Sequence, residues 1–357
     1  MNAKKTLTII CGGKSAEHEI SVISASNVLL ALHPDHYDIQ VIYITEKGEW
    51  RYLLDWKKAA KEIAPKKWVE IKEFEEVTPW CGHPEGQWLV TNAFPKCYRT
   101  DVVFPVMHGE HSEDGDMQGL LEILGVPYVG PGVMSSAICM DKVVNKQLMQ
   151  QCGIPVVDYR VCYAHEIAQF NFEALIQEWH FPIFIKPANT GSSIGVFKVY
   201  DREQLKIAIE KARKYDAKLI FEKFTPVREI ECAVLGNENP QSSVPGELIV
   251  HHDFYDYDAK YLDPNGAEPK IPALLSAEKI QEAQHLALKA YRAMDCKGLA
   301  RVDLFLTQDG KFFVNELNTM PGFTKISMYP KLWEYSGLSY SHLLDRLIEL
   351  AICHCEE

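Results

Sequence analysis

The 357-residue sequence predicts a mixed α/β and α+β fold divided into two or three domains, and three observations predict it. The chain is longer than one hydrophobic core usually serves. Its first third alternates short apolar runs with helically spaced segments, as a parallel α/β layer does. Its last third carries a strong antiparallel hairpin signal, Asp309-Gly310 between two apolar runs. Hydrophobic residues make up 47% and charged residues 24%, so the chain can bury cores and is not a disordered one.

Taken in order, Thr6 to Cys11 is an apolar run ending in Gly12-Gly13, a buried strand entering a tight turn. A helix is expected from Ser15 to Leu32, with Ile20, Ile23, Val28 and Leu32 close to helical spacing. Strands follow at 39–45 and 102–107, and a helix at 118–124. The stretch from Gly48 to Pro95 is less regular and reads as a peripheral elaboration. Pro127, Gly130, Pro131 and Gly132 suggest a domain boundary. Residues 133–152 read as one helix stopped by Gly153, and 182–187 as an apolar strand that delivers Lys186 to a Gly/Ser-rich loop. Strands are expected at 219–224 and 230–235, a helix at 276–294 with Ser276 as N-cap, and a terminal helix near 338–351.

A net charge of −12 argues against a general affinity for nucleic-acid phosphates. An acidic protein that binds a nucleotide needs a local cluster of Lys, Arg and metal. The apolar run at the N-terminus is too short for a signal segment or a membrane span, so a cytoplasmic protein is expected. The ten cysteines are scattered without a CxxC pair and read as free thiols in a reducing compartment. Cys353 and Cys355, flanking His354, offer too few ligands for a zinc site.

The hairpin is the most informative segment. If Asp309-Gly310 alone form the turn, residues equidistant from it pair, which sets Asp303 opposite Glu316 and Arg301 opposite Asn318. Period-two alternation then puts all four side chains on one face. Opposed carboxylates about 5 Å apart repel unless something positive lies between them. Mg²⁺, an oxygen-seeking ion, would take both together with the Asn318 amide. The plainer alternative is a solvated hairpin face neutralised by lysines. The loop from Lys186 to Gly195 has glycines for close backbone approach and Ser192 and Ser193 to wrap an anion. It is not a Walker A loop. Alone it reads as a Gly-rich turn; paired with a carboxylate hairpin it reads as a phosphate cradle.

Five stretches, in order, resemble the D-alanine–D-alanine ligase family: Gly12-Gly-Lys-Ser-Ala-Glu-His-Glu-Ile-Ser21, His108-Gly-Glu-His-Ser-Glu-Asp-Gly115, Gly191-Ser-Ser-Ile-Gly195, Phe254-Tyr-Asp-Tyr-Asp-Ala-Lys-Tyr261 and Asn315-Glu-Leu-Asn-Thr-Met-Pro-Gly322. The resemblance covers roughly residues 8–350. It implies a three-domain ATP-grasp fold: an N-terminal Rossmann-like domain at 1–130, a central subdomain at 131–220 and a C-terminal subdomain at 221–357. It also implies phosphoryl transfer from ATP to one D-alanine, followed by amide formation with a second, for peptidoglycan precursor synthesis. Lys142, Lys186 and Ser193 would contact ATP phosphates. Glu222, Lys223 and Thr225 would meet the adenine, largely through backbone, and Glu229 the ribose. Asp303, Glu316 and Asn318 would hold two Mg²⁺ ions, for which Mn²⁺ could substitute. Phe224 and Thr225 stand where the family varies and Met320 lies inside the metal-strand motif; neither departure removes a ligand.

By the same resemblance Glu17 would hold the ammonium of the first D-alanine, although a helix N-terminal acid looks the same in sequence. Ser192 and Tyr261 would join Glu17 to close a mobile lid spanning His251 to Ala273. Lys260 would face the site from that lid and pair with Glu113, and Lys260-Tyr261 would favour an amine as second substrate over D-lactate. Arg301 would stabilise the transferring phosphoryl group. His108 would sit near the first D-alanine carboxylate, and could equally be a structural histidine. Gly322 and Ser327 would receive the second D-alanine. The family commonly dimerises, so a homodimer is open. Two rival functions stay open at this point: another ATP-grasp carboxylate–amine ligase, and a nucleotide-binding sensor without turnover.

Overall fold

The computed structural model describes residues 4–82, 87–250 and 267–354. Strand Lys5–Gly12 is buried after its first two residues and lies parallel between Tyr37–Ile44 and Val102–Val106. Its unbroken apolar run follows from that central place, where both faces are covered. Helix His18–Ala31 packs on it. The segment expected to be peripheral instead continues the sheet. Strands Trp50–Leu53, Phe74–Pro79, Gln87–Val90 and Cys97–Arg99 add to Tyr37–Ile44 in antiparallel order, so the seven-stranded sheet is mixed rather than parallel. These strands are short and alternate polar with aromatic residues, a weaker signal than a buried run. Their aromatics stack across strands, Trp50 on Trp88 and Tyr52 on Tyr98, with ring centroids 5.8 and 3.6 Å apart.

The stretch read as one helix is two, Val133–Met140 and Lys142–Gln151. Asp141 breaks it: its carboxylate accepts the N–H groups of Val143 and Val144 at 3.0 and 3.1 Å, an N-cap that starts a new helix. Lys142 thereby becomes a first-turn residue beside the following sheet. That sheet has four strands, Phe197–Val199, Ile183–Pro187, Lys218–Lys223 and Tyr159–Tyr163 in spatial order, covered by helices Phe172–Trp179 and Arg202–Ala212.

The third sheet runs Ala267–Lys270, Gly246–Val250, Val227–Leu235, Leu299–Thr307, Phe312–Asn318, with Gln241–Ser242 paired to Val227–Leu235. Helix Ala277–Ala293 backs it, with Ala283, Ala287 and Ala290 buried; small side chains at this spacing let the helix lie close. Ser276 caps it by accepting from the Lys279 N–H at 3.3 Å.

The hairpin reaches the expected register by a different route. Leu306 pairs with Phe312, and the Thr307 N–H bonds the Lys311 carbonyl at 3.0 Å, so the loop is Gln308-Asp309-Gly310 with Gly310 at φ +81°. A three-residue loop with a left-handed glycine displaces the pairing by one. A bulge at Asn315, between the pairs Leu304–Val314 and Asp303–Glu316, restores it. Beyond the bulge Asp303 stands opposite Glu316 and Arg301 opposite Asn318.

Helix Met328–Tyr335, which the sequence did not suggest, and the terminal helix Tyr340–His354 return to the first sheet. Tyr329, Leu332, Leu343, Leu344, Leu347 and Ile348 join Leu7, Ile9 and Phe104 in one core. Each fully buried aliphatic of this kind contributes about 1.5–3 kcal/mol, so the chain's two ends are firmly docked. The nine cysteines among the described residues are free thiols. None of the described helices is long and apolar enough to cross a membrane.

Candidate active site

Three neighbouring strands of the third sheet set an acidic row: Glu231 pairs with Asp303, and Asp303 with Glu316. Beside it, Arg301 stands opposite Asn318. The positive partner of the row is the Arg301 guanidinium, whose Nε and Nη2 donate to the two Asp303 oxygens at 2.7 Å each, with Nε also 3.2 Å from Glu231 Oε2. Burial opposes charge on Arg301, but Asp303 and Glu231, with Glu316, overrule it and hold its pKa well above the usual value. Asn318 Oδ1 accepts the Met320 N–H at 3.1 Å, which orients its amide.

Facing this row is a buried charge triad. Glu222 is 2% exposed and lies between Lys146 Nζ at 3.0 Å and Lys186 Nζ at 2.5 Å. Burial alone would raise the Glu222 pKa; the two ammonium groups outweigh it and hold it near 2. Lys186 resists its own burial through Glu222, Glu316 and Glu229, and its pKa lies above the ordinary lysine value. Lys146, 1% exposed, is pushed down, because burial outweighs its gain from Glu222. Lys146 Nζ also reaches the carbonyl of Asn315, the bulged residue, at 3.5 Å. The triad thus ties the central sheet to the acidic hairpin.

The Gly/Ser loop closes the third side. Lys142 Nζ donates to the Thr190 carbonyl at 2.5 Å, and Asn189 is anchored by Asp216 Oδ2 at 2.8 Å. Ser192 and Ser193 hold φ of +50° and +58°, a left-handed backbone that costs non-glycine residues about 1 kcal/mol or more each. In that conformation the Ser192 hydroxyl donates to Glu17 Oε1, a residue 175 positions away on the first domain's turn. The Glu17 backbone is the N-cap of helix His18–Ala31, yet its side chain makes no cap bond.

Next to Glu17, His108 is buried, its Nδ1 3.0 Å from the Met320 carbonyl and its Nε2 3.2 Å from Ser24 Oγ. Burial disfavours its charge, but Glu113, 3.9 Å away, together with Glu17 and the Met320 carbonyl, raises its pKa. Burial and the charge of Glu17 raise that of Glu113 in turn, against the pull of His108. Gly322 and Ser327 meet as well: a Cβ on Gly322 would lie 2.7 Å from Ser327 Oγ, which is held by the Thr324 N–H at 3.0 Å.

Contacts thus link Glu17 to Ser192, His108 through Met320 to Asn318, Lys186 and Lys146 through Glu222 toward the hairpin that carries Glu316, and Arg301 to Asp303. Lys223 is exposed and Thr225 half-exposed where strand Lys218–Lys223 ends, the Lys223 N–H bonding the Asp158 carbonyl at 3.0 Å. Lys260, Tyr261 and the segment read as a lid up to residue 266 lie outside the described residues. Sequence reasoning missed Lys146 and Glu231. Lys146 reads as one more polar residue of a helix, and Glu231 as an alternating strand acid; only the pairing of strands places either.

Family models described as the D-ala D-ala ligase N-terminus and C-terminus match residues 6–131 and 148–349. The chain belongs to the D-alanine–D-alanine ligase family. It is 46% identical over 364 residues to the D-alanine–D-alanine ligase of Thermoanaerobacter sp. (strain X514), covering 98% of this chain and 97% of that one. The corresponding enzyme of Coxiella burnetii (strain RSA 331 / Henzerling II) is 43% identical over 358 residues, covering 100% of this chain and 96% of its own. Two solved structures share the fold: a D-alanine–D-alanine ligase from Coxiella burnetii (TM-score 0.89, 38% identity, 99% of this chain and 95% of that chain) and the VanG D-Ala:D-Ser ligase from Enterococcus faecalis (TM-score 0.87, 34% identity, 98% and 100%). The architecture is accordingly the ATP-grasp fold of these ligases, a family that uses ATP and a divalent metal. The donor set fits such an ion. Asp303, Glu316 and Asn318 are all oxygen donors on adjoining strands, with no thiol or imidazole among them.

Proposed function

We propose that this chain joins two D-alanine molecules into D-alanyl-D-alanine in the cytoplasm, for peptidoglycan precursors, with ATP converted to ADP and phosphate. A carboxylate is a poor electrophile, so the first D-alanine must be activated as an acyl phosphate before the amine of the second attacks it. Asp303, Glu316 and Asn318 would hold two Mg²⁺ ions, or Mn²⁺, which supply charge neutralisation at the phosphates. Lys142, Lys186 and the Ser193 loop would bind those phosphates. Residues Glu222, Lys223 and Thr225 would take the adenine and Glu229 the ribose, between the central and C-terminal subdomains.

Glu17 would orient the first D-alanine by its ammonium and His108 by its carboxylate. Arg301 would neutralise the transferring phosphoryl group and the tetrahedral oxyanion with a fixed, permanently charged fork. Gly322 and Ser327 would receive the second D-alanine. Tyr261 and Lys260 would close over both.

One observation supports the reading: the Glu17–Ser192 hydrogen bond sets the Glu17 carboxylate against the Gly/Ser loop, where it would hold an ammonium group beside the phosphates. An amino acid held there has its carboxylate beside the phosphoryl group it attacks. The similarity to a D-Ala:D-Ser ligase makes D-serine the natural competitor for the second position. Phosphate release is to be measured with D-alanine alone, with L-alanine or glycine, and with D-alanine plus D-serine or D-lactate. Release with D-alanine alone, yielding the dipeptide, is expected. Activity with L-alanine but none with D-alanine overturns the substrate assignment.

A further inference from the structure

Glu231 has no part in the chemistry set out above. It is 8% exposed, stands opposite Asp303 on strand Val227–Leu235, and brings Oε2 to 3.2 Å from Arg301 Nε. Asp303 grips the same guanidinium through Nε and Nη2, so Nη1 is the nitrogen that neither bond engages. Here lies a conflict of duties. A carboxylate that serves as a metal ligand shares its charge with the ion and has less to give a guanidinium, since both draw on the same lone pairs.

We propose that Glu231 is the positioning residue for Arg301, holding its guanidinium in place when Asp303 is engaged as a metal ligand. The proposal rests on the roles given to Arg301 and Asp303 under the proposed function. Burial makes the need acute. A guanidinium withdrawn from water requires a nearby anion that stays with it. The strand order also sets Glu231 apart from Glu316. It lies two strands from Glu316, about 10 Å by ordinary strand spacing, with Asp303 between them. Glu231 occupies the side of Asp303 away from Glu316 and keeps its contact with the arginine there.

The test is a double-mutant cycle on the full chain with Glu231→Gln, Arg301→Lys and both together. Four quantities are to be read: kcat at saturating substrates, KM for ATP, ATP binding by tryptophan fluorescence without D-alanine, and thermal midpoint. Glu231→Gln is expected to lower kcat by about 10–100-fold, the usual range for outer partners of a catalytic group, with ATP binding and the thermal midpoint near parental values. Glu231→Asp, which keeps the charge on a shorter arm, is expected to recover part of kcat. In the Arg301→Lys background, Glu231→Gln should cost no more than about a further twofold, because the residue it serves is already gone.

Additive losses in the cycle overturn the proposal, as does a parental kcat in Glu231→Gln. A tenfold loss of ATP binding would instead place Glu231 in the nucleotide site and overturn it too. If Glu231→Gln does not fold, the same cycle with Glu231→Asp decides by the same criterion. Arg301→Lys with undiminished kcat would sink the role given to Arg301 itself, an outcome distinct from the others.

Discussion

Replacing Glu222 with Gln leaves two interior ammonium groups facing a neutral amide. The magnitude follows from the geometry. Glu222 is held at about 2 against an ordinary 4.5 by Lys146 at 3.0 Å and Lys186 at 2.5 Å. At 1.36 kcal/mol per pKa unit, that depression corresponds to about 3 kcal/mol of folding stability at neutral pH. Removing one partner from a buried pair typically costs about 3–5 kcal/mol, which agrees. Lys146, already pushed down by burial, can shed its proton in the variant, so about 3 kcal/mol is the upper end. Urea unfolding of parent and Glu222→Gln from pH 7 to pH 4 measures it. The sign is set by the depressed pKa: the stabilisation is whole above the unfolded value near 4.5 and is lost as pH falls toward 2. We expect a gap of about 2–3 kcal/mol at pH 7, of which about 1 kcal/mol has gone by pH 4. A gap below about 1 kcal/mol at pH 7, or one unchanged between the two pH values, refutes the reasoning.

Three further outcomes are expected. Glu316→Gln should reduce turnover by at least about 1000-fold with the thermal midpoint kept, and Asp303→Asn by as much with a lower midpoint, because Arg301 loses its bidentate partner; normal turnover in either at saturating Mg²⁺ removes the metal assignment. Glu17→Gln should raise KM for the first D-alanine by about tenfold or more while leaving ATP binding alone; a change confined to ATP contradicts its role. Gly322→Ala places a methyl 2.7 Å from Ser327 Oγ and should raise KM for the second D-alanine far more than for the first, which steady-state kinetics at low substrate resolves; equal effects on both would falsify its place in the second subsite.

The elements with strong local signals were legible in the sequence. The buried strand at Lys5–Gly12, the helix capped by Ser276 and the facing pair Asp303–Glu316 are all where the residues put them. The last of these holds because two shifts cancel, a loop one residue longer than the Asp309-Gly310 signal and a bulge at Asn315. Turn length and bulges depend on contacts made by the finished hairpin. The Val314 N–H, for instance, is bonded by the carbonyl of Pro155, far off in the chain. The break at Asp141 was readable in principle, since an Asp whose carboxylate can take the N–H groups two and three residues on is a cap, but apolar periodicity masked it.

The sequence alone determined which chemistry the chain carries. Five ordered motifs, with Lys142, Lys186, Arg301 and Asp303 between them, supply the lysines, carboxylates and loop that an ATP-dependent ligase needs, and side-chain chemistry is a local property. Only the tertiary structure decided how these groups are paired: that Arg301 grips Asp303, that Lys146 shares Glu222 with Lys186, and that Glu231 completes the acidic row. It also decided that the last helix docks on the first strands. The reason is that charge pairing and core burial depend on distance in space, and strand neighbours in this fold are chosen by sheet order rather than by position along the chain.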